Sequence, residues 1–126
     1  IYILIFSLIA LYNTGPIPGS KRPNIDMFSK QLENRVVIKK VIDSIPKNLS
    51  VASTNNLGSH LSSRENIYTI PYGLDKADVI VFLLERGYSE LTYIEQLNMI
   101  ENLKNNPQFN LEFEDKDFYL FVKRNL

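Results

Sequence analysis

The side chains best placed for chemistry lie where a predicted strand runs into a short helix. They are Thr54, Asn55, Asn56, His60 and Arg64. Free backbone N–H groups and the helix dipole make a helix N-terminus attractive to anions. Ligands of open α/β sheets also collect beyond the carboxyl ends of the strands. The spacing therefore predicts a small-molecule or anion-binding site, to which His60 and Arg64 would add charge.

The same side chains also fit a purely structural interpretation, which the pattern favours. Thr and Asn commonly cap helix N-termini with their side-chain oxygens, and Arg64 would then be a solvated charge or one at a helix end. A Ser–His–Asp site is a further alternative, because serines surround His60 and are followed by Asp75 and Asp78. No Gly-x-Ser-x-Gly elbow supports that alternative.

Composition excludes several other kinds of site. The 14 basic residues balance 14 acidic ones, so the overall charge gives no reason to expect binding to nucleic acid. The chain has no cysteine and a single histidine, which excludes cysteine-based zinc or iron–sulfur centres and multi-histidine metal sites. No dinucleotide-binding or Walker glycine pattern is present. We therefore expect no metal, no cofactor and no nucleic-acid partner.

The elements that must position these residues predict an α/β fold. Val79–Leu84 is apolar at consecutive positions, as in a strand covered on both faces, and we place it at the centre of the sheet. Shorter strands are predicted at Leu49–Ser53 and Ile67–Ile70. Alternation over Phe109–Glu114 and Phe118–Val122 predicts a hairpin whose second strand lies further inside. Together these segments predict a mixed sheet of about five strands with flanking helices and a C-terminal antiparallel hairpin.

Two longer helices are expected to flank that sheet. An apolar stripe at helical spacing runs from about Gln31 to Ile45, and Pro46 ends it. Thr92 and Glu95 fit a capping box that opens a second helix, which reaches about Asn105.

The N-terminal segment contains no charged side chain over residues 1–12. A helix of that length reaches about 18 Å, whereas a bilayer core is roughly 30 Å thick. The segment also lacks the basic start of a signal peptide. We interpret it as the end of a transmembrane helix whose first part is missing; the alternative is a buried element of a soluble protein. A linker at 13–30 and a soluble α/β domain at 31–126 would follow.

The order of several motifs resembles the C-terminal part of a membrane-protein family, domain of unknown function 2079. The segments that carry the resemblance are Ile45-Pro46-Lys47-Asn48 with Val51, His60-Leu61-Ser62-Ser63-Arg64, Tyr68 with Pro71, and Ala77-Asp78-Val79-Ile80-Val81. The His-Leu-Ser-x-Arg box is the most specific of them. Asn48 stands where the family pattern has Asp, and Val79 where it has an aromatic residue. The similarity covers most of residues 15–123.

The resemblance implies a place in a larger protein rather than a reaction. Members of the family are mostly prokaryotic, polytopic membrane proteins with a layout similar to glycosyltransferases that use lipid-linked sugars. Their C-terminal domain lies outside the cytoplasm. Lys21 and Arg22, just past the apolar segment, favour the cytoplasmic side. Two charges weigh less than the resemblance, so we expect the domain outside the cytoplasm. The acidic catalytic residue of such enzymes lies in an early membrane loop, so no catalytic residue is expected here.

Three functional hypotheses follow. The first is a non-catalytic, extracytoplasmic domain of a polytopic protein in the cell membrane that assists glycosyl transfer from a lipid-linked donor. The second is a small-molecule or anion-binding module that uses Thr54 to Arg64, with Asp78 as a further ligand-binding candidate. The third is a structural or partner-docking domain. The expected partners are the membrane and a lipid-linked or sugar ligand.

Overall fold

The computed structural model describes residues 1–14, 19, 21, 34–84 and 91–126. The chain divides into two units, Ile1–Arg35 and Val36–Leu126. The first contains helix α1 (Tyr2–Thr14). The predicted linker lies mostly outside the described residues, although α1 continues through Thr14. Within the described ranges, no helix is long and apolar enough to cross a lipid bilayer.

The second unit is built on a five-stranded mixed sheet, which confirms the predicted fold class. Its strands are β1 (Val51–Ser53), β2 (Ile67–Thr69), β3 (Val79–Leu83), β4 (Phe109–Asp115) and β5 (Phe118–Lys123). Their order across the sheet is β2-β1-β3-β5-β4. β1 is parallel to β2 and β3, whereas β5 is antiparallel to β3 and β4. β3 is therefore central, and β5 lies inside β4, as the sequence predicts.

Helices cover both faces of this sheet. They are α2 (Arg35–Ser44), a 3-10 turn (Asn55–Leu57), the one-turn helix α3 (Gly58–Leu61) and α4 (Tyr93–Lys104). Residues 31–33 of the predicted first helix lie outside the described residues. The capping box of α4 is confirmed, because Thr92 Oγ1 accepts from Glu95 N at 3.3 Å and Thr92 N donates to Glu95 Oε2 at 2.7 Å.

Two separate clusters of buried side chains form the core, one on each face of β3. Val81 and Leu83 join α2 and α3 in the first cluster, while Ile80 and Phe82 join α4 in the second. Phe82 meets Phe121 of β5 edge to face, with ring centroids 6.5 Å apart. Because successive strand side chains point to opposite faces, this two-sided cover explains why β3 is apolar at every position.

The C-terminal hairpin contains a β-bulge in β4, so the regular alternation predicted for Phe109–Glu114 is wrong after Leu111. Pairing runs from Leu111 opposite Phe121 directly to Phe113 opposite Leu120, which leaves Glu112 as the extra residue. A bulge of this kind shifts the following side chains to the other face. Phe109 consequently packs in the second cluster, whereas Phe113 packs against the first.

Candidate functional site

Thr54 and Asn56 form a closed hydrogen-bond network with the end of the central strand. Leu83 N donates to Thr54 Oγ1 at 3.0 Å, and that hydroxyl lies 2.7 Å from Asn56 Oδ1. Asn56 Nδ2 then donates to Leu83 O at 3.0 Å. Thr54 is only 6 % exposed. The two side chains therefore satisfy both backbone polar groups of Leu83, at the carboxyl edge of the sheet.

This network replaces the expected capping role. Thr54 occupies the N-cap position of the 3-10 turn, as the sequence suggests, yet its side chain makes no capping hydrogen bond, and α3 has no side-chain cap either. The hydroxyl instead reaches across to β3 because the turn begins directly beside that strand. Asn55 is exposed beside this network.

Arg64 joins two segments of backbone. Its Nη1 donates to Pro46 O at 2.6 Å and its Nη2 to Ile45 O at 2.5 Å. These carbonyls lie just beyond the last residue of α2, where the helix dipole favours a positive charge. Partial burial lowers the pKa of the Arg64 guanidinium from its ordinary value. The side chain thus holds the end of α2 against the segment that precedes β2.

Asp78 lies at the opposite, amino edge of the sheet. Its Oδ2 accepts from Ser50 N at 3.0 Å and from Ser50 Oγ at 2.7 Å. These two hydrogen bonds, the side-chain one first, hold the pKa of the Asp78 carboxyl below its ordinary value. The pair joins the residue before β1 to the residue before β3.

The predicted site residues are therefore not gathered around one space. Thr54, Asn55 and Asn56 lie at the carboxyl edge of the sheet, whereas Asp78 lies at the amino edge, bonded to Ser50. His60 is an exposed side chain on α3. Thr54, Asn56, Arg64 and Asp78 form hydrogen bonds with other groups of the same domain. These bonds connect neighbouring strands and the end of α2.

Ser50 is the partner that sequence reasoning missed. No local pattern marks the pair, because it depends on the parallel register that places Val51 of β1 opposite Val79 of β3. Ser50 and Asp78 are the residues that immediately precede those two positions. Finding the pair from sequence would have required the register of two strands that are far apart in the chain.

Helix α1 carries the surface that most needs a functional explanation. Each described side chain from residue 1 to residue 13 is exposed, and the large apolar ones are 41 % to 95 % exposed. Apolar residues occupy all sides of the helix rather than one stripe. Soluble proteins rarely present so large a continuous apolar surface to water, and such surfaces mark sites of contact with membranes or other proteins.

Comparison with known proteins gives no match to a family model, to a curated protein or to a solved structure. Membership of the family that the chain resembles therefore stays a prediction.

Proposed function

We propose that this chain is the membrane-anchored end of a larger membrane protein. In this proposal α1 lies in the hydrocarbon region of the cell membrane. The sheet and its helices form a non-catalytic domain beside the bilayer, outside the cytoplasm. The single observation that carries the proposal is the uncharged, all-round apolar and exposed surface of α1.

A lipid environment suits α1 better than a groove on a protein partner. A groove covers one stripe of a helix, whereas a helix that is apolar on all sides needs apolar surroundings on all sides. Burying one large apolar side chain is worth about 1.5–3 kcal/mol, so the nine exposed ones of α1 favour a bilayer strongly. The 13 residues of α1 reach about 20 Å of a core that is roughly 30 Å thick. α1 by itself therefore covers about two thirds of the thickness of that core.

The hydrogen bonds of the candidate polar side chains support a non-catalytic role of the domain. Thr54, Asn56, Arg64 and Asp78 all bond to backbone or side chains of the domain itself. The placement outside the cytoplasm and the part in glycosyl transfer from a lipid-linked donor rest on the family resemblance alone. Titration of the full chain with a lipid-linked sugar tests that part, and unchanged amide resonances would remove it.

Flotation of the full chain with lipid vesicles tests the proposed anchoring. A Leu4→Asp/Leu8→Asp variant places two charges on α1, and each costs about 2.5–3.5 kcal/mol at the centre of a membrane helix. We expect the unaltered chain to float with the vesicles and this variant to stay in the dense fraction.

The matched control replaces an equally exposed apolar side chain of the domain. Ile94 is 69 % exposed in the first turn of α4, where a carboxylate is well tolerated, so Ile94→Asp should float like the unaltered chain. Flotation of the double α1 variant would contradict the anchoring. So would an unaltered chain that forms defined oligomers instead of floating, because α1 would then be a protein interface.

A further inference from the structure

A cavity of about 350 Å³ lies on the α4 face of the sheet, and none of the candidate site residues described above lines it. It opens between the second half of α4, the segment before β3 and the start of β4. Its apolar lining, here called the floor, consists of Leu74, Met99, Leu103 and Phe109, all of which belong to or pack against the second core cluster. Leu103 and Phe109 are largely buried and belong to the second core cluster. The floor is thus part of a packed core, and its volume falls in the range of small-molecule sites.

The rim of the cavity is polar and carries one kind of charge. It consists of Asp75, Asn102, Asn106 and Gln108. Asn106 Oδ1 accepts from Gln108 N at 2.9 Å, a bond that ties these two rim residues together. Among the lining residues Asp75 is the only charged one, and none is basic.

Two further features favour a positively charged ligand in this cavity. The cavity lies along the last turn of α4, where the helix dipole places partial negative charge. The basic residue of that turn, Lys104, is directed elsewhere: its Nζ lies 3.2 Å from Glu114 Oε2 and 5.3 Å from the centroid of the Tyr119 ring.

We propose that this cavity binds a small organic cation, namely a primary ammonium group that carries a short hydrocarbon chain. The ammonium group would lie at the rim, paired with Asp75 and within reach of the side-chain amide oxygens. The hydrocarbon would lie on the floor formed by Met99, Leu103 and Phe109. An anionic ligand of the same shape would meet the carboxylate and the helix end and be repelled. This inference is independent of the proposed anchoring.

Titration of the full chain in zwitterionic micelles with n-butylamine tests the inference, with n-butanol as the neutral probe and butyrate as an anionic probe of similar size. Amide and methyl resonances of the floor and rim should shift with n-butylamine. The amine should bind about three- to fivefold more tightly than the alcohol, because Asp75 is an exposed carboxylate and ion pairs at exposed sites contribute little. Butyrate should cause no saturable shift at these positions.

Matched variants separate binding from folding. Asp75→Asn keeps the shape of the side chain and should weaken the binding of n-butylamine about three- to fivefold, while resonances outside the cavity keep their positions. Glu65→Gln neutralises an exposed carboxylate that does not line the cavity and should leave the affinity unchanged. Equal affinity for the amine and the alcohol, saturable binding of butyrate, an unaffected Asp75→Asn variant, or no amine binding would each overturn the inference.

Discussion

At the scale of single residues, polar side chains link the segments that flank β1 to those that flank β3, at both ends of this strand pair. Thr54 and Asn56 satisfy the backbone of Leu83 at the carboxyl edge, and Ser50 pairs with Asp78 at the amino edge. A buried polar group left without a partner costs more than a typical hydrogen bond gains. These residues should therefore affect stability more than any binding property.

Replacing Thr54 with valine keeps the shape of the side chain but removes its hydroxyl. Leu83 N and Asn56 Oδ1 then lose a partner in a buried setting, so we expect a loss of about 1–3 kcal/mol in stability. Hydrogen exchange at the β3 amides measures the loss. Thr69→Val, at an exposed position of β2, is the control and should change exchange little. Equal exchange in both variants would remove the structural role assigned to Thr54.

The Ser50–Asp78 pair predicts a dependence of stability on acid. Its hydrogen bonds lower the pKa of Asp78 in the folded state, so the contribution is fully present above the unfolded value of about 3.9. It is lost as the pH falls through the lower folded pKa. Urea unfolding followed by circular dichroism should show Asp78→Asn as less stable than the unaltered chain at pH 7. The gap should narrow below about pH 4, and a gap that stays constant to pH 3 would contradict the assignment.

The sequence singles out Thr54, Asn56 and Asp78 as polar residues of interest, but it does not predict their hydrogen-bond partners. Thr54 and Asn56 stand out because they follow a strand, and local rules then suggest a helix cap. The true partner, Leu83, is separated from Thr54 by 29 positions. Only the parallel register of β1 and β3 brings the two together, and no local pattern encodes that register.

At the scale of elements, the turn before β3 depends on a glycine. Gly73 has φ of +74°, and a Cβ placed there would lie 2.5 Å from Cγ of Tyr68. Gly73→Ala should therefore cost more than the roughly 1–2 kcal/mol of a left-handed backbone alone. Chemical denaturation measures this cost.

Gly58 provides a matched control within the same domain. It lies at the start of α3 with φ of −53°, and a Cβ there would meet nothing within 4 Å. Gly58→Ala should be neutral or stabilise the domain by about 0.4–1 kcal/mol, because alanine restricts the unfolded chain. Similar losses in the two variants would show that the turn does not impose this conformation on Gly73.

Elements governed by local rules were predictable. The apolar run of β3 indicates a strand covered on both faces, and the Thr92–Glu95 spacing fixes the start of α4 through neighbouring side chains. The bulge at Glu112 was not predictable, since an unbroken alternation of Phe109, Leu111 and Phe113 reads as a regular strand. The short helix after β1 was expected; the structure divides it into a 3-10 turn and α3, with Leu57 and Leu61 packed in the first core cluster.

At the scale of the whole molecule, the two units differ in how they treat apolar side chains. Val36–Leu126 buries most of its large apolar side chains in two clusters around a central strand, whereas those of α1 are exposed on every side of the helix. The sequence predicted both the apolar segment and the α/β domain. It could not decide what surrounds α1, because the same run of residues would suit a protein core or a bilayer.

Site-directed spin labelling of α1 in lipid vesicles tests the membrane anchoring most directly. The chain contains no cysteine, so single replacements such as Leu4→Cys, Phe6→Cys and Leu8→Cys each give one label, and Glu112→Cys in the domain is the reference. The account predicts high collision rates with oxygen and low rates with a water-soluble nickel complex at every α1 position. Labels on α1 as accessible to the nickel complex as the one at Glu112 would contradict it.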